Sequence, residues 1–311
     1  MDKLEVIAIE SAATGVVRVD LRAPDGTRLP DWTPGAHIAV ELDGRSRQYS
    51  LCGSRLDCDQ WSIAVLREPE SRGGSAYIHE HLTVGELIAY KGPENRFEFT
   101  GAAPHTVFIA GGIGITPLIP MMEHAWELGL SWSLYYGGRT LGSMAFTAEL
   151  SDRYPGRVVT RPQDAEGLLD IDAIIGGLDD STEIYCCGPT GLIDTVEQTG
   201  AANGIQVRTE RFHAVPADDK ADNGSYLVEL AESGREITVA ENSSLLDALR
   251  EHGIDISSSC EEGTCGTCEV QVLAGAITHR DCVLSEDERR SGETMMACVS
   301  RCAGPVLRLA L

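Results

Sequence analysis

The chain has 311 residues, too many for one ordinary core and enough for two or three domains of about 100 to 150 residues each. Its composition, 42% hydrophobic and 23% charged, is that of a soluble globular protein, and no apolar run approaches the roughly 20 residues a membrane helix needs. With 25 Lys and Arg against 48 Asp and Glu the net charge is −23, which repels phosphate backbones and anionic lipid and so excludes nucleic acid and membrane surfaces as partners.

From the N-terminus, residues 1–10 mix acids with apolar side chains and show no basic region followed by an apolar core. Nothing there reads as a signal peptide, and a cytoplasmic protein is expected. Ten cysteines in such a chain indicate metal or redox chemistry in place of a disulfide framework. Residues 1–100 hold short alternating runs, among them Val16 to Leu21, His37 to Leu42 and Trp61 to Leu66, separated by Gly, Pro and Asp turns. These predict an antiparallel β-barrel. Within it lie Arg47-Gln48-Tyr49-Ser50 and, after Val65 and Leu66, the segment Ser71-Arg72-Gly73-Gly74-Ser75, a loop whose amides and guanidinium suit a phosphate.

Residues 101–212 alternate strands with helices, which predicts a doubly wound parallel sheet. A short apolar strand, Val107 to Ala110, runs into Gly111-Gly112-Ile113-Gly114-Ile115-Thr116-Pro117. Thr116 reads as an N-cap with Pro117 at the first helical position, the helix running to about Leu128 with Gly129 as its stop. Glycines that admit close approach, followed by the free amides of a helix start, make a pyrophosphate site. The unit repeats at Trp132 to Tyr136, which leads into Gly137-Gly138-Arg139, and at Glu183 to Cys187, which leads into Gly188-Pro189. No acid closes the second strand to hold ribose hydroxyls, and Arg139 stands there as a candidate for a 2′-phosphate.

Residues 213–223 are polar and poor in apolar side chains, and read as a linker. Beyond it, in residues 224–311, Cys260, Cys265 and Cys268 form C-x4-C-x2-C, followed after 29 intervening residues by a fourth cysteine, Cys298. This is the plant-type [2Fe-2S] spacing, whereas zinc ribbons prefer two separated C-x2-C pairs. Gly263 and Gly266 permit positive-φ turns, and the small residues around them let backbone amides reach the sulfurs. Tyr226 to Leu230 and Glu236 to Val239 alternate as strands, and Ser244 to His252 reads as a helix closed by Gly253. Cys282 and Cys302 do not fit the ligand pattern and read as bystander thiols.

Taken in order, R-Q-Y-S, G-G-I-G-I-T-P and C-G-P resemble the ferredoxin-NADP reductase superfamily. With the ferredoxin-like module at the C-terminus, the chain is similar over nearly its whole length to the phthalate dioxygenase reductase family. The resemblance implies a multidomain α+β and α/β protein: an antiparallel flavin-binding β-barrel, a doubly wound nucleotide-binding domain and a C-terminal β-grasp [2Fe-2S] ferredoxin domain. It implies FMN held by Arg47, Gln48, Tyr49 and Ser50, with Val65 and Leu66 alongside and the phosphate on Arg72, Gly73, Gly74 and Ser75. Leu66 stands where other members carry a basic residue. The nicotinamide nucleotide falls on Gly111, Gly112, Ile113, Gly114, Thr116, Pro117, Cys187, Gly188 and Pro189, and Phe212 matches an aromatic that covers the flavin.

The implied function is that of a monomeric, NADH-dependent reductase component of a Rieske-type oxygenase or demethylase. NADH is favoured over NADPH, and electrons pass from NADH to FMN to [2Fe-2S] to the oxygenase. Since the hydride brings two electrons and the cluster takes one, a flavin is the expected intermediary. Cys187 and Thr116 are then expected to position the nicotinamide. The alternatives are a reductase partner of a cytochrome P450 and a stand-alone flavin or ferric reductase.

Overall fold

The computed structural model describes residues 2–69, 73–212 and 224–311. The chain divides into two compact units, one ending at Phe212 and the other reaching Leu311.

The first unit opens with β1 (Asp2–Ala13), β2 (Val16–Arg22), β3 (His37–Leu42), β4 (Arg45–Ser50), β5 (Trp61–Leu66), α1 (Gly74–Glu80) and β6 (Leu87–Glu94). The strands form one antiparallel sheet in the order β4-β3-β6-β1-β2-β5. A bridge between Leu51 and Ile63 joins the two edge strands and closes the sheet into a barrel, which removes its open edges. Leu4, Val6, Val19, Leu21, Ile38, Val40, Trp61 and Ile63 fill it. The phosphate-loop segment departs from the loop expected of it. Gly74 and Ser75 begin α1, and Gly73 precedes that helix at φ +104°.

The same unit continues with β7 (His105–Gly111), α2 (Leu118–Glu127), β8 (Ser131–Gly138), α3 (Thr147–Arg153), β9 (Val158–Pro162), α4 (Gln163–Glu166), α5 (Ile171–Ile175), β10 (Thr182–Cys187), α6 (Thr190–Asn203) and β11 (Gln206–Glu210). Its five strands are all parallel, in the order β11-β10-β7-β8-β9. Every residue of β10 is buried, as expected of a strand covered on both faces. Leu118, Met121, Met122 and Ala125 put one apolar stripe of α2 into the core.

The start of α2 differs from its expected form. Residues Gly112–Ile115 make a 3-10 turn, Thr116 is already helical (φ −58°, ψ −48°), and Pro117 takes the cap position without a side-chain bond. The Thr116 hydroxyl does not cap an amide; it donates back to the Ile113 carbonyl at 3.0 Å. The tight turn brings that carbonyl within reach first, so the hydroxyl is satisfied before an N-cap forms.

The second unit comprises β12 (Tyr226–Leu230), β13 (Glu236–Val239), α7 (Leu245–Glu251), β14 (Glu269–Ala274), β15 (Ile277–Thr278), α8 (Glu286–Ser291), β16 (Thr294–Met296), β17 (Arg301–Cys302) and β18 (Val306–Leu309). Five strands align as β13-β12-β18-β14-β16, with β12 and β18 parallel and the other neighbours antiparallel. Ser244 caps α7 by accepting from the Asp247 amide at 3.0 Å, and Leu245, Leu246, Ala248 and Leu249 bury its inner face. Gly253 follows at φ +74°. No helix among the described residues is long and apolar enough to cross a membrane.

Candidate functional sites

In the parallel sheet, β7, β8 and β9 run outward to one side, while β10 and β11 lie on the other. The direction of winding therefore reverses between β7 and β10. Ligands of open α/β sheets bind at such a switch point, outside the strands' carboxyl ends. The two turns that meet there are the two glycine motifs. A Cβ on Gly114 would lie 2.3 Å from the Cys187 carbonyl oxygen, one on Gly188 2.9 Å from the Gly111 Cα, and one on Gly111 2.6 Å from Pro189 Cδ. All three glycines are therefore demanded by packing of one turn against the other.

Cys187 ends β10 fully buried, and burial pushes its thiol well above the ordinary range, with the neighbouring Glu210 carboxylate acting in the same direction. A thiol so placed is no nucleophile. Glu210, paired with Cys187 across the β10–β11 ladder, was missed by sequence reasoning. The residue is half-buried, yet its Oε2 is closed off and finds no hydrogen-bond partner among the described residues. Burial pushes this carboxyl up to about 8. The only signal for it in the sequence is an acid at the end of the strand beside β10. Arg139 is exposed just past β8, where its carbonyl accepts from the Asp164 amide at 3.1 Å. Phe212 is half-buried against the core cluster that includes Phe97, Phe99, Phe108 and Tyr185.

The barrel meets this crevice along β5. Val65 is buried near the end of that strand, and Leu66, Ile113 of the glycine turn and Phe146 all pack against one small cluster of Val16, Cys52, Ala64 and Ala145. On β4, Ser50 is buried while Arg47, Gln48 and Tyr49 are half-buried. Gly74 lies so close beneath Arg47 that a Cβ there would come within 2.5 Å of its Cγ, and Ser75 Oγ accepts from the Glu68 amide at 3.2 Å. The structure thus gathers Arg47, Gly73, Gly74 and Ser75 around one corner of the barrel; Arg72 lies outside the described residues. Between the barrel and α2, Ser54 donates to Glu123 at 3.2 Å and Arg55 pairs with Glu127, and Arg153 at the end of α3 donates to the same Glu123 carboxylate at 2.6 Å.

In the second unit the four predicted cysteines converge. The Cys260 side chain lies within interaction range of Cys265 and Cys298, and that of Cys298 within range of Cys268, so the four sulfurs gather at one place. Amides of Glu262 and Thr264 donate to Cys260 Sγ at 3.3 and 3.4 Å, and that of Thr267 to Cys265 Sγ at 3.4 Å. Gly263 and Gly266 adopt φ +74° and +76°, as the turns require. Among the described residues no His, Cys, Asp or Glu group is arranged around a single metal ion. A chain of four thiols with amides already aimed at the sulfurs fits a two-iron cluster, whose reduced form such donors stabilise. Cys282 and Cys302 stand apart, their thiols donating to the carbonyls of Gly263 and Val306 at 3.4 Å.

A closed barrel beside a dinucleotide crevice, followed by a four-cysteine loop, defines a pyridine-nucleotide oxidoreductase with flavin and iron–sulfur chemistry. Residues 108–198 match the oxidoreductase NAD-binding domain family, and residues 228–303 the 2Fe-2S iron-sulfur cluster binding domain family. The chain is 42% identical to the phenoxybenzoate dioxygenase subunit beta of Ectopseudomonas oleovorans over 96% of its own length and 93% of that protein's. Among solved structures, phthalate dioxygenase reductase superposes with a TM-score of 0.73 at 33% identity, covering 99% of this chain and 97% of that one. An intact type IV self-sufficient cytochrome P450 monooxygenase superposes with a TM-score of 0.90 at 39% identity, and this chain spans 41% of its length.

The chain belongs to the phthalate dioxygenase reductase family. It is an NADH-dependent oxidoreductase of the oxygenase-reductase class, with FMN and a [2Fe-2S] cluster as its cofactors.

Proposed function

We propose that this protein is the reductase component that supplies electrons to a separate Rieske-type oxygenase, acting as a monomer. The observation that carries the reading is the packing of the two glycine turns on each other and against β5, in a chain that also holds the four-cysteine loop. Two-electron donor, intermediary and one-electron exit then have their sites in one polypeptide. The 42% identity to a dioxygenase subunit over nearly both full lengths favours a separate oxygenase. The P450 match favours the second reading, a cytochrome P450 partner.

We assign residues 1–100 to flavin binding, 101–212 to NADH and 224–311 to the cluster. Residues 213–223, read as the linker, lie outside the described residues. Arg47, Gln48, Tyr49, Ser50, Val65 and Leu66 line the flavin ring and ribityl, and Gly73, Gly74 and Ser75, with Arg72 beyond the described residues, take its phosphate. Gly111, Gly112, Ile113, Gly114 and Pro117 receive the pyrophosphate, with Gly188 and Pro189 across the crevice and Arg139 at the adenosine end. Thr116, Cys187 and Phe212 border the nicotinamide; none of them transfers a proton or forms a bond, and they act by orientation. FMN held by the barrel residues would supply a carrier able to take two electrons and give them up one at a time, and Cys260, Cys265, Cys268 and Cys298 would hold the iron.

The test is turnover reconstituted from the flavin- and cluster-loaded protein and NADH, with a purified Rieske oxygenase in one arm and a P450 in the other. Product formed in step with NADH in the Rieske arm is expected. Product in the P450 arm alone would reverse the assignment.

A further inference from the structure

At the glycine turn, both of the first internal carbonyls are tied into the protein. The Ile113 carbonyl accepts from the Thr116 amide at 3.1 Å and from its hydroxyl at 3.0 Å. The Gly112 carbonyl accepts from the Tyr136 hydroxyl at 3.1 Å. Tyr136 lies on β8 opposite Ala110 of β7 and is fully buried, and its single hydroxyl proton is shared between the Gly112 carbonyl and that of Ala145 at 3.2 Å. Its ring is locked among the aromatic and aliphatic side chains of the sheet's core. Burial pushes the phenol above its ordinary range, so it remains a protonated donor.

In a trans peptide the carbonyl and the following N–H point to opposite sides. Fastening the Gly112 carbonyl inward therefore turns the Ile113 N–H outward. That amide belongs to the first turn of the 3-10 segment, whose leading donors have no acceptor within it. Gly112 is left-handed, with φ +55°, and the turn that follows is right-handed. This alternation makes successive amides converge into an anion-binding concavity. Without an anchor on its carbonyl, a left-handed glycine peptide is free to flip.

We propose that Tyr136 is a positioning residue for NADH: its hydroxyl holds the Gly112–Ile113 peptide so that the Ile113 amide is presented to the cofactor's pyrophosphate. The inference rests on the reading that the pyrophosphate sits on this turn. Tyr136 touches neither the nicotinamide nor the flavin in this role. Its effect is confined to ligands that carry the diphosphate.

The test uses Tyr136→Phe in the flavin- and cluster-loaded protein, which keeps the ring and removes one donor. ADP-ribose, which lacks the nicotinamide, should bind about tenfold more weakly by calorimetry, the loss expected for one hydrogen bond. In stopped-flow flavin reduction the apparent Kd for NADH should rise by a similar factor while the limiting rate at saturation is retained. The ratio of second-order rate constants for NADH over 1-benzyl-1,4-dihydronicotinamide, a phosphate-free donor, should fall about tenfold in step. An equal loss with both donors, or unaltered ADP-ribose binding, would overturn the proposal.

A measurement on the wild-type protein does not depend on how the variant folds. With isotope-labelled isoleucine, the Ile113 amide resonance should move on addition of ADP-ribose, and an unmoved resonance would refute its role as a donor. Failure of the underlying reading shows itself separately, as failure of ADP-ribose to compete with NADH in the wild-type protein.

Discussion

At the scale of single residues, the crevice is built by what is left out as much as by what is present. Gly111, Gly114 and Gly188 have no side chains because each position is occupied by the opposite turn. Glu210 is the opposite case, a carboxyl that folding forces out of water. Its ordinary value of 4.5 rises to about 8, with burial as the cause. The sign of the effect on stability follows. From about pH 4.5 upward the unfolded chain gives up a proton that the folded chain keeps until about pH 8, so stability falls across that window. Cys187 beside it is pushed upward too and stays neutral there, and Arg211 is engaged with Asp194 and Glu197 at 2.8 and 2.7 Å. Glu210→Gln, which cannot ionise, should therefore gain stability relative to the wild type as pH rises through the window. Urea midpoints measured at a series of pH values check this, and parallel profiles for the two proteins would show that the carboxyl titrates normally.

At the scale of elements, the sequence was legible where periodicity and spacing reflect local physics. β12, β13 and α7 lie where alternation and capping place them, because Tyr226, Val228 and Leu230 bury one face and Ser244 does cap its helix. The cluster loop was legible because ligand spacing is a short-range geometric demand. What was not legible depends on partners distant in sequence. The Thr116 cap is lost to a 3-10 turn shaped by packing against Cys187, and α1 emerges from a loop-like run where Gly74 fits beneath Arg47. Tyr136 and Glu210 gain their importance only when β8 and β11 are set beside their neighbours. Gly263 shows both levels at once. Its positive φ was expected from the loop, but its packing was not: a Cβ would fall 2.6 Å from Val299 Cγ2 and 3.0 Å from the Asp281 Cα. Gly263→Ala should therefore destabilise the second unit by about 2 kcal/mol from backbone strain and crowding. Iron and acid-labile sulfide per chain should drop while flavin content holds, and full cluster occupancy would show that the loop yields without cost.

At the scale of the whole molecule, charge and modularity each make a testable statement about how electrons leave. A net charge of −23 leaves acid over much of the surface, and a docking role for part of it has a kinetic signature. Electron delivery to the oxygenase should slow as salt is added, while reduction of a small neutral acceptor should not. Identical salt profiles would reduce the acidity to a solvated surface. Modularity supports a sharper experiment, because the two units close separate cores: Val228, Leu246, Val270, Met295 and Leu307 in one, and the barrel and parallel-sheet clusters in the other. Cys268 is buried with Cys298 in the first of these cores, and serine oxygen is a harder and poorer ligand for iron than a thiolate. Cys268→Ser should lose the cluster or hold it weakly. Since no residue of the barrel or the glycine turns is touched, NADH should still bleach the flavin at close to the wild-type rate, and an acceptor that takes electrons directly from the flavin should still be reduced. Turnover of the oxygenase should collapse, because its one-electron supply runs through the cluster. The measurement is stopped-flow flavin reduction beside coupled oxygenase turnover in one preparation, with iron content determined for each protein. Slowed flavin reduction would mean that the second unit supports the first in ways its separate core does not suggest, and full turnover from an iron-free variant would place the exit at the flavin and remove the four-cysteine loop from the electron path.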